Sequence, residues 1–291
     1  MNTDIDWALV FINYPIIRHL NKCEVLAISL TNKQIRAKLN SVIFNDLKIN
    51  DGLLDRHSNY FDTKRYFKFG NLSFIEKFKL FRKYNFNLEL AFKDLYIDPF
   101  IKEADNTLNS NSVYCKSLHF SWGFYRDRAS YFIFPIFQNF YSLNKLSLHK
   151  SIIPYNIFSN LLSKLENLEI LEMVWVDLVL STKENSNSQY HLIFPKSLKE
   201  LTYKKVDLAV TDWYQLRPRN FIYNRCLGYS HEHLEILPQL LANLKTFVFH
   251  SDKYDDLALD KFIYLNPSLK HVSKPNYRKY RHVEDTWRDY Y

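Results

Sequence analysis

LEILEMVWVDL, residues 168–178, sets the pattern from which the rest of the chain is built. Its apolar residues Leu168, Leu171, Met173, Val176 and Leu178 fall at positions one, four, six, nine and eleven. Strand residues alternate between two faces, so Leu171 and Met173 point to one side and Ile170, Glu172 and Val174 to the other. A single unit with one apolar side cannot bury it alone. It requires copies of itself as neighbours.

Copies are present. From Leu198, the residues Leu201, Tyr203, Val206 and Leu208 complete the same frame, and in LNKLSLHKSII Leu143, Leu146, Leu148 and Ile153 fill it with Ser151 at position nine. Shorter matches begin at Leu244 (Phe247, Phe249), Leu269 (Val272), Cys115 (Leu118, Phe120), Asn85 (Leu88, Leu90, Leu95) and Phe44 (Leu47, Ile49, Leu54). In a chain with 47% hydrophobic residues a lone LxxLxL arises by accident as readily as by design, so the three consecutive matches from Leu143, Leu168 and Leu198 carry the argument. Most starts lie close to one period of roughly 20–29 residues apart. The step from Leu198 to Leu244 spans about two periods and predicts a degenerate copy near Phe221. The spacing resembles the leucine-rich repeat. That resemblance implies an α/β chain: an irregular leucine-rich-repeat solenoid over residues 44–274, with parallel strands and helices on its convex side.

Return elements between the strands fit this frame. Pro154 leads into YNIFSNLLSKL, with Ile157, Phe158, Leu161, Leu162 and Leu165 on one helical stripe; proline is tolerated where the first amides lack partners. HEHLEILPQLLANL predicts a second helix, capped by Ser230 and shortened or kinked by Pro238, and LALDKFIYL a third behind Asp255 and Asp256. The clear copies carry Ser151, Val176 and Val206 at position nine rather than Asn or Cys, which predicts irregular turns and no asparagine ladder. STKENSNSQ, residues 181–189, reads as an exposed loop insertion.

Residues 1–43 differ, with helical spacing in Val25, Leu26, Ile28 and Leu30, then Ile35, Leu39, Val42 and Ile43, and Thr31 and Asn32 as a cap between two short helices. The stretch LNKCEVLAISLTNKQIR from Leu20 to Arg36 resembles the middle of the F-box, matching in register at Leu20, Val25, Leu26, Ile28, Leu30, Lys33, Ile35 and Arg36. The Leu-Pro pair that opens that motif is replaced by Ala8 and Leu9, and Pro15 falls where its first helix should run. Followed by the repeats, the combination resembles the F-box/leucine-rich-repeat family. The resemblance implies a substrate receptor of a cullin-type ubiquitin ligase, docking a Skp-type adaptor and its cullin complex through Leu20, Val25, Leu26, Ile28, Leu30 and Ile35. A repeat scaffold with no ubiquitin role, capped by its leading helices, is the alternative.

The concave face would hold the protein substrate. Alternation places on it Ser117, His119 and Ser121; Lys145, Ser147 and His149; Ile170, Glu172 and Val174; Glu200, Thr202 and Lys204; and Thr246, Val248 and His250. Such a mixture suits protein recognition and leaves no lining for a cofactor. Its histidines read as scattered, too far apart to share a metal.

Sites for chemistry are few. The four glycines, Gly52, Gly70, Gly123 and Gly228, are far apart, which excludes a GxGxxG or GxxxxGK phosphate loop, and neither GxSxG nor HExxH occurs. His231, Glu232 and His233 read as the start of a surface helix, and Cys115 as a core residue. With Cys23 and Cys226 the cysteines are odd in number and unpaired by spacing, so the expected compartment is reducing. No enzymatic activity, metal or cofactor is expected.

Charge and hydropathy set the remaining expectations. Lys and Arg exceed Asp and Glu by 39 to 31, and the excess is spread along the chain. IEKFKLFRKY, residues 75–84, interleaves basic and aromatic residues, but Ile75 and Phe78 have the spacing of a helix facing a sheet, so a nucleic-acid partner is not expected. Asp4 and Asp6 stand where a signal peptide carries Lys or Arg, and the apolar run from Tyr131 to Tyr141 is too short to span a membrane. The chain is expected to be intracellular with no membrane partner. Residues 275–291 leave the repeat pattern as a tail that binds a partner or caps the open end.

Overall fold

In the computed structural model of this chain the apolar positions of the repeated pattern become rows across one sheet. The structure describes residues 17, 19–50, 73–83, 98–122, 129–181, 190–211, 230–251 and 256–273. Its strands are β1 (Asp46–Ile49), β2 (Ser117–Ser121), β3 (Lys145–Pro154), β4 (Ile170–Ser181), β5 (Glu200–Thr211), β6 (Ser230–His233), β7 (Thr246–His250) and β8 (His271–Ser273). Seven run parallel in an open sheet ordered β1-β2-β3-β4-β5-β7-β8, and β6 pairs antiparallel with β5. The fold is α/β. Leu47, Leu118, Leu146, Leu171, Leu201, Phe247 and Val272 form one row in register, and Ile49, Phe120, Leu148, Met173, Tyr203 and Phe249 the next. The six inward positions from Leu146 to Tyr203 lie in one buried cluster that runs from Ile49 to Phe262.

At the foot of the sheet each strand hands one carbonyl to two amides of the next. Asn45 O accepts from Lys116 N and Ser117 N, Lys116 O from Asn144 N and Lys145 N, and Asn144 O from Glu169 N and Ile170 N. Glu169 O, Lys199 O and Lys245 O continue the same arrangement as far as His271 N. Aromatic residues fill the core as the composition suggests. The Phe120 ring meets Trp122, Phe134 and Phe137 edge-on at 5.4–5.6 Å. Tyr203, inside the core, donates its hydroxyl to Leu234 O at 2.7 Å, so its one polar atom is satisfied.

The three-residue step from position six to position nine has a backbone cause. Lys150, Trp175 and Lys205, each at position eight, adopt left-handed φ of 48°, 59° and 48°. Pairing skips all three: His149, Val174 and Lys204 are in register, and the next partners are Ser151, Val176 and Val206. One left-handed residue shifts the alternation by one, so Val176 and Leu178 return to the core. Such a residue costs about 1–2 kcal/mol when it is not glycine. The burial of two aliphatic side chains, at roughly 1.5–3 kcal/mol each, offsets it. The irregular turns expected at position nine are therefore not turns, because β3, β4 and β5 continue through them.

The helices are α1 (Lys22–Thr31), α2 (Lys33–Ile43), α3 (Phe74–Lys83), α4 (Asp98–Asn109), α5 (Ala129–Ile133), α6 (Tyr155–Lys164) and α7 (Asp256–Tyr264). α6 follows Pro154 and buries Tyr155, Phe158, Leu161 and Leu162; α7 buries Leu259 and Phe262. α4, which the repeat pattern does not announce, packs Ile101, Ala104 and Leu108 on the core.

Several expectations are corrected. Residues 230–233 are strand and residues 234–244 contain no helix, although Leu234, Leu241 and Leu244 are buried there. Pro238 removes a helical donor, and side-chain amides take over the backbone bonding. Gln239 donates to Leu192 O at 3.2 Å and accepts from Phe194 N at 2.9 Å, while buried Asn266 accepts from Leu241 N at 2.7 Å and donates to Gln239 O at 3.0 Å. β5 pairs directly with β7 and β1 directly with β2, while the copy expected near Phe221 and the match at Asn85 fall outside the described residues. Residues 84–97, 182–189, 212–229 and 274–291, which hold that match, most of the polar insertion, Cys226 and the tail, lie outside the described residues, as do Leu54 and Pro15. α3 turns Ile75 and Phe78 to solvent rather than to the sheet.

α1 and α2 enclose a second buried cluster, Ile17, Val25, Ile35, Leu39 and Ile43, against which Leu20, Ile28 and Phe44 pack. Asn21 and Glu24 form a reciprocal capping box on α1. Asn32 caps α2, accepting from Gln34 N at 2.7 Å. Lys22 Nζ donates to Asp46 O at 2.7 Å, tying α1 to the first strand.

The face assignment predicts unequal effects of two substitutions one strand apart. Leu171→Ala, in the buried row, should lower stability by about 2–5 kcal/mol by opening a cavity, whereas Glu200→Ala, on an exposed outward position, should stay within about 0.5 kcal/mol. Chemical denaturation of the two variants measures the difference; equal losses would mean that the faces are wrongly assigned.

Candidate functional site

The face of the sheet opposite the core carries every outward residue that alternation predicts, in three rows. Ser117, Lys145, Ile170, Glu200 and Thr246 make the first; His119, Ser147, Glu172, Thr202 and Val248 the second; Ser121, His149, Val174, Lys204 and His250 the third. Above the third row the character changes. Ile152, Val179 and Ala209 form a small apolar cluster there with Tyr131 of α5, and Ser130 Oγ exchanges hydrogen bonds of 2.7 Å with both the N–H and the carbonyl of Ile152. The polar surface is thus bounded by a covered apolar one.

This surface is not a plain solvated face. Lys145 and Glu200 are exposed, Ser147 is buried, and the other residues of the expected set, from His119 to His250, are half-buried. Nor are its histidines scattered, as the linear sequence suggests. The His119 and His149 rings lie 5.1 Å apart, and His149 Nε2 is 3.4 Å from Glu172 Oε2. Neighbouring rows on adjacent strands are diagonal neighbours within reach of long side chains. His149 and His119 therefore meet although they occupy different rows.

Local charges act on this group. Burial lowers the basicity of His119, with the neighbouring His149 and the lysines Lys48 and Lys145 adding to the effect and Glu172 opposing it. For Glu172 burial raises the pKa, but it is outweighed by the polar groups beside the carboxyl, first His149, then Ser147 and Lys145, so the carboxyl stays below its usual value. The result is a carboxylate held among cationic and imidazole groups, suited to polar recognition.

One further feature escapes the linear reading. Trp175, half-exposed on its left-handed residue, has Lys205 Nζ 4.3 Å from its ring centroid. The signal lies at position eight of successive copies, where two lysines flank a tryptophan.

Other candidates are resolved by burial and element type. Burial pushes the Cys115 thiol up to about 11, so it is protonated at neutral pH. His231, Glu232 and His233 lie on β6, in register with Ala209, Leu208 and Asp207, rather than opening a helix. Among the described residues no group of three His, Cys, Asp or Glu converges on a metal position, and no helix is long and apolar enough to cross a membrane.

On the helical pair, the residues expected to meet an adaptor divide. Val25 and Ile35 are consumed by the pair's own core, and Leu20 and Ile28 are half-buried against it. Leu26 and Leu30, one turn apart on α1, are 48% and 65% exposed.

The two shifts on the outward face act in one direction. A histidine whose folded pKa is depressed loses stability as pH falls below its unfolded value of about 6.5, and a carboxyl with a depressed pKa does so below about 4.3. The melting temperature should therefore fall as pH drops from 7 to 5, and His119→Gln should flatten the upper part of that decline; an identical profile in the variant would remove His119 as its source. Compared with known proteins, the chain matches no family model, no curated protein and no solved structure.

Proposed function

We propose that this chain is an F-box/leucine-rich-repeat protein, a substrate receptor of a cullin-type ubiquitin ligase. In this reading α1 and α2 dock a Skp-type adaptor, and the strands form an irregular leucine-rich-repeat solenoid whose outward face holds the protein to be ubiquitinated. Its role is recognition rather than catalysis. The exposure of Leu26 and Leu30 carries the reading. The helical pair fills its core with Val25, Ile35, Leu39 and Ile43 and leaves two leucines of one face in water. Apolar side chains placed together on one helix face suit a partner groove. The sheet supports the other half, with in-register rows and a mixed polar face carrying His119, Ser147, His149 and Glu172.

A repeat scaffold capped by its leading helices is the second reading. The bond from Lys22 to the Asp46 carbonyl and the packing of Phe44 under α2 favour it, since both bind the pair to the start of the sheet.

Co-purification with the Skp-type adaptor of the same cell separates the two. Leu26→Asp and Leu30→Asp should each weaken adaptor capture about a hundredfold or more, because a charge at the centre of a desolvated interface costs several kcal/mol. Both variants should keep wild-type circular dichroism. Ile35→Asp, buried in the pair's own core, should instead unfold the pair. Wild-type protein that captures no adaptor would leave the scaffold reading in place.

A further inference from the structure

The helix α3 carries an apolar face that the fold leaves in solvent. Phe74, Ile75 and Phe78 are 82%, 66% and 51% exposed. At 100° per residue these three share one side of the helix, and the Phe74 and Phe78 rings stack on each other with centroids 6.3 Å apart. The helix organises its own start. Ser73 N and Oγ donate to Glu76 Oε2 at 2.9 and 2.6 Å, and Ser73 Oγ accepts from Glu76 N at 3.3 Å. Glu76, the one acidic residue of FIEKFKLFRK, is thereby engaged in the cap, and Lys77, Lys79, Arg82 and Lys83 leave a positive excess.

An occupant of this face has to satisfy an aliphatic and two stacked phenyl rings together with flanking cations. Nucleic acid offers phosphates to the cations but no apolar phase for Ile75 and a self-stacked phenylalanine pair. An anionic bilayer offers both, with acidic headgroups at the level of the lysines and the acyl boundary beneath them. At about 1.5 Å per residue a ten-residue helix is too short to cross a hydrocarbon core of roughly 30 Å. Such a helix lies in the plane of the interface.

We propose that α3 docks the protein reversibly on an anionic phospholipid surface, with Phe74, Ile75 and Phe78 entering the boundary between headgroups and acyl chains and Lys79 and Arg82 meeting acidic headgroups. The contact is independent of the adaptor reading, because it uses none of α1, α2 or the outward face of the sheet. Each basic residue close to such a surface strengthens binding roughly fivefold, and salt weakens the attraction.

The test is co-sedimentation of the full chain with vesicles of phosphatidylcholine alone or with about one third phosphatidylserine. Binding should be at least tenfold tighter to the anionic vesicles and should fall as salt is raised. Phe74→Ser with Phe78→Ser, and separately Lys79→Glu with Arg82→Glu, should each weaken it at least tenfold while circular dichroism is unchanged, since all four side chains are exposed. Ile75→Ser, a milder change on the same face, should weaken it severalfold. No binding to anionic vesicles would overturn the proposal. So would binding that survives loss of both phenylalanines, which would mark a general attraction of a chain with net charge +8, or displacement from the vesicles by single-stranded RNA that is equally effective against wild type and the phenylalanine variant.

Discussion

Register is the constraint on which this structure depends. Seven parallel strands share one alignment, and a slip of one residue in any of them would turn its apolar set to the outward face. Two devices hold that alignment. At the foot of the sheet, bifurcated carbonyls from Asn45 to Lys245 fix where each strand begins. In the middle, left-handed residues at Lys150, Trp175 and Lys205 each insert the same single-residue shift. Because the shift recurs at one level, β3, β4 and β5 stay paired above it, and Ser151, Val176 and Val206 remain side by side. A left-handed step in one strand alone would have broken the pairing with both neighbours. The cost of a strained backbone is thus tolerable only because it is repeated.

The outward face inherits its chemistry from this alignment. Its half-buried polar residues are neighbours because the strands start level, not because they are close in sequence. Ser147 and Glu172 stand side by side in one row, and His149 leans from the next row to reach the carboxylate. Lys48 and Lys145 lie at the margin of the same group and raise the local positive potential, which helps keep His119 neutral and Glu172 ionised. The core below is complete without any of these residues. Their chemistry is therefore not dictated by the packing of that core, which is the property a recognition surface needs.

Much of this was legible in the sequence. The spacing one, four, six, nine, eleven gave the inward residues of β3, β4 and β5, their parallel neighbours and the outward rows, because burial on one side of a strand dictates an apolar residue at every second position. Asn32 was readable as a helix cap because its side chain has a local backbone partner. The failures are of two kinds. Residues 234–244 have helical spacing, yet Pro238 forbids the helix, and the amides of Gln239 and Asn266, distant in sequence, make an extended path stable instead. Ile75 and Phe78 have the spacing of a buried helix face, but periodicity reports only that a face is apolar, never what lies against it. The meeting of His119, His149 and Glu172 was hidden for a related reason. It is a diagonal contact across three strands, and alternation along a single strand contains no information about it.

Exposed apolar residues gain meaning from the state of the core beside them. Single ones, such as Ile193 and Leu240 on the extended return segments, are common on any folded surface and need no partner. Leu26 and Leu30 differ, since they share one side of a helix that already packs Val25 and Ser29 on the adjoining side. Phe74, Ile75 and Phe78 differ again, because their flanks are cationic and the helix that holds them supplies its own cap. Two apolar helix faces with different electrical surroundings call for different occupants: a groove in a protein for the near-neutral α1, and an anionic surface for the basic α3. The sheet between β2 and β7 buries Phe120, Tyr203, Phe247 and Phe249 in the continuous core and presents a mixed, largely polar outward face. Under the proposed reading docking and discrimination would rest on separate parts of the chain, apolar attachment on α1 and α3 and specific polar contact on the sheet.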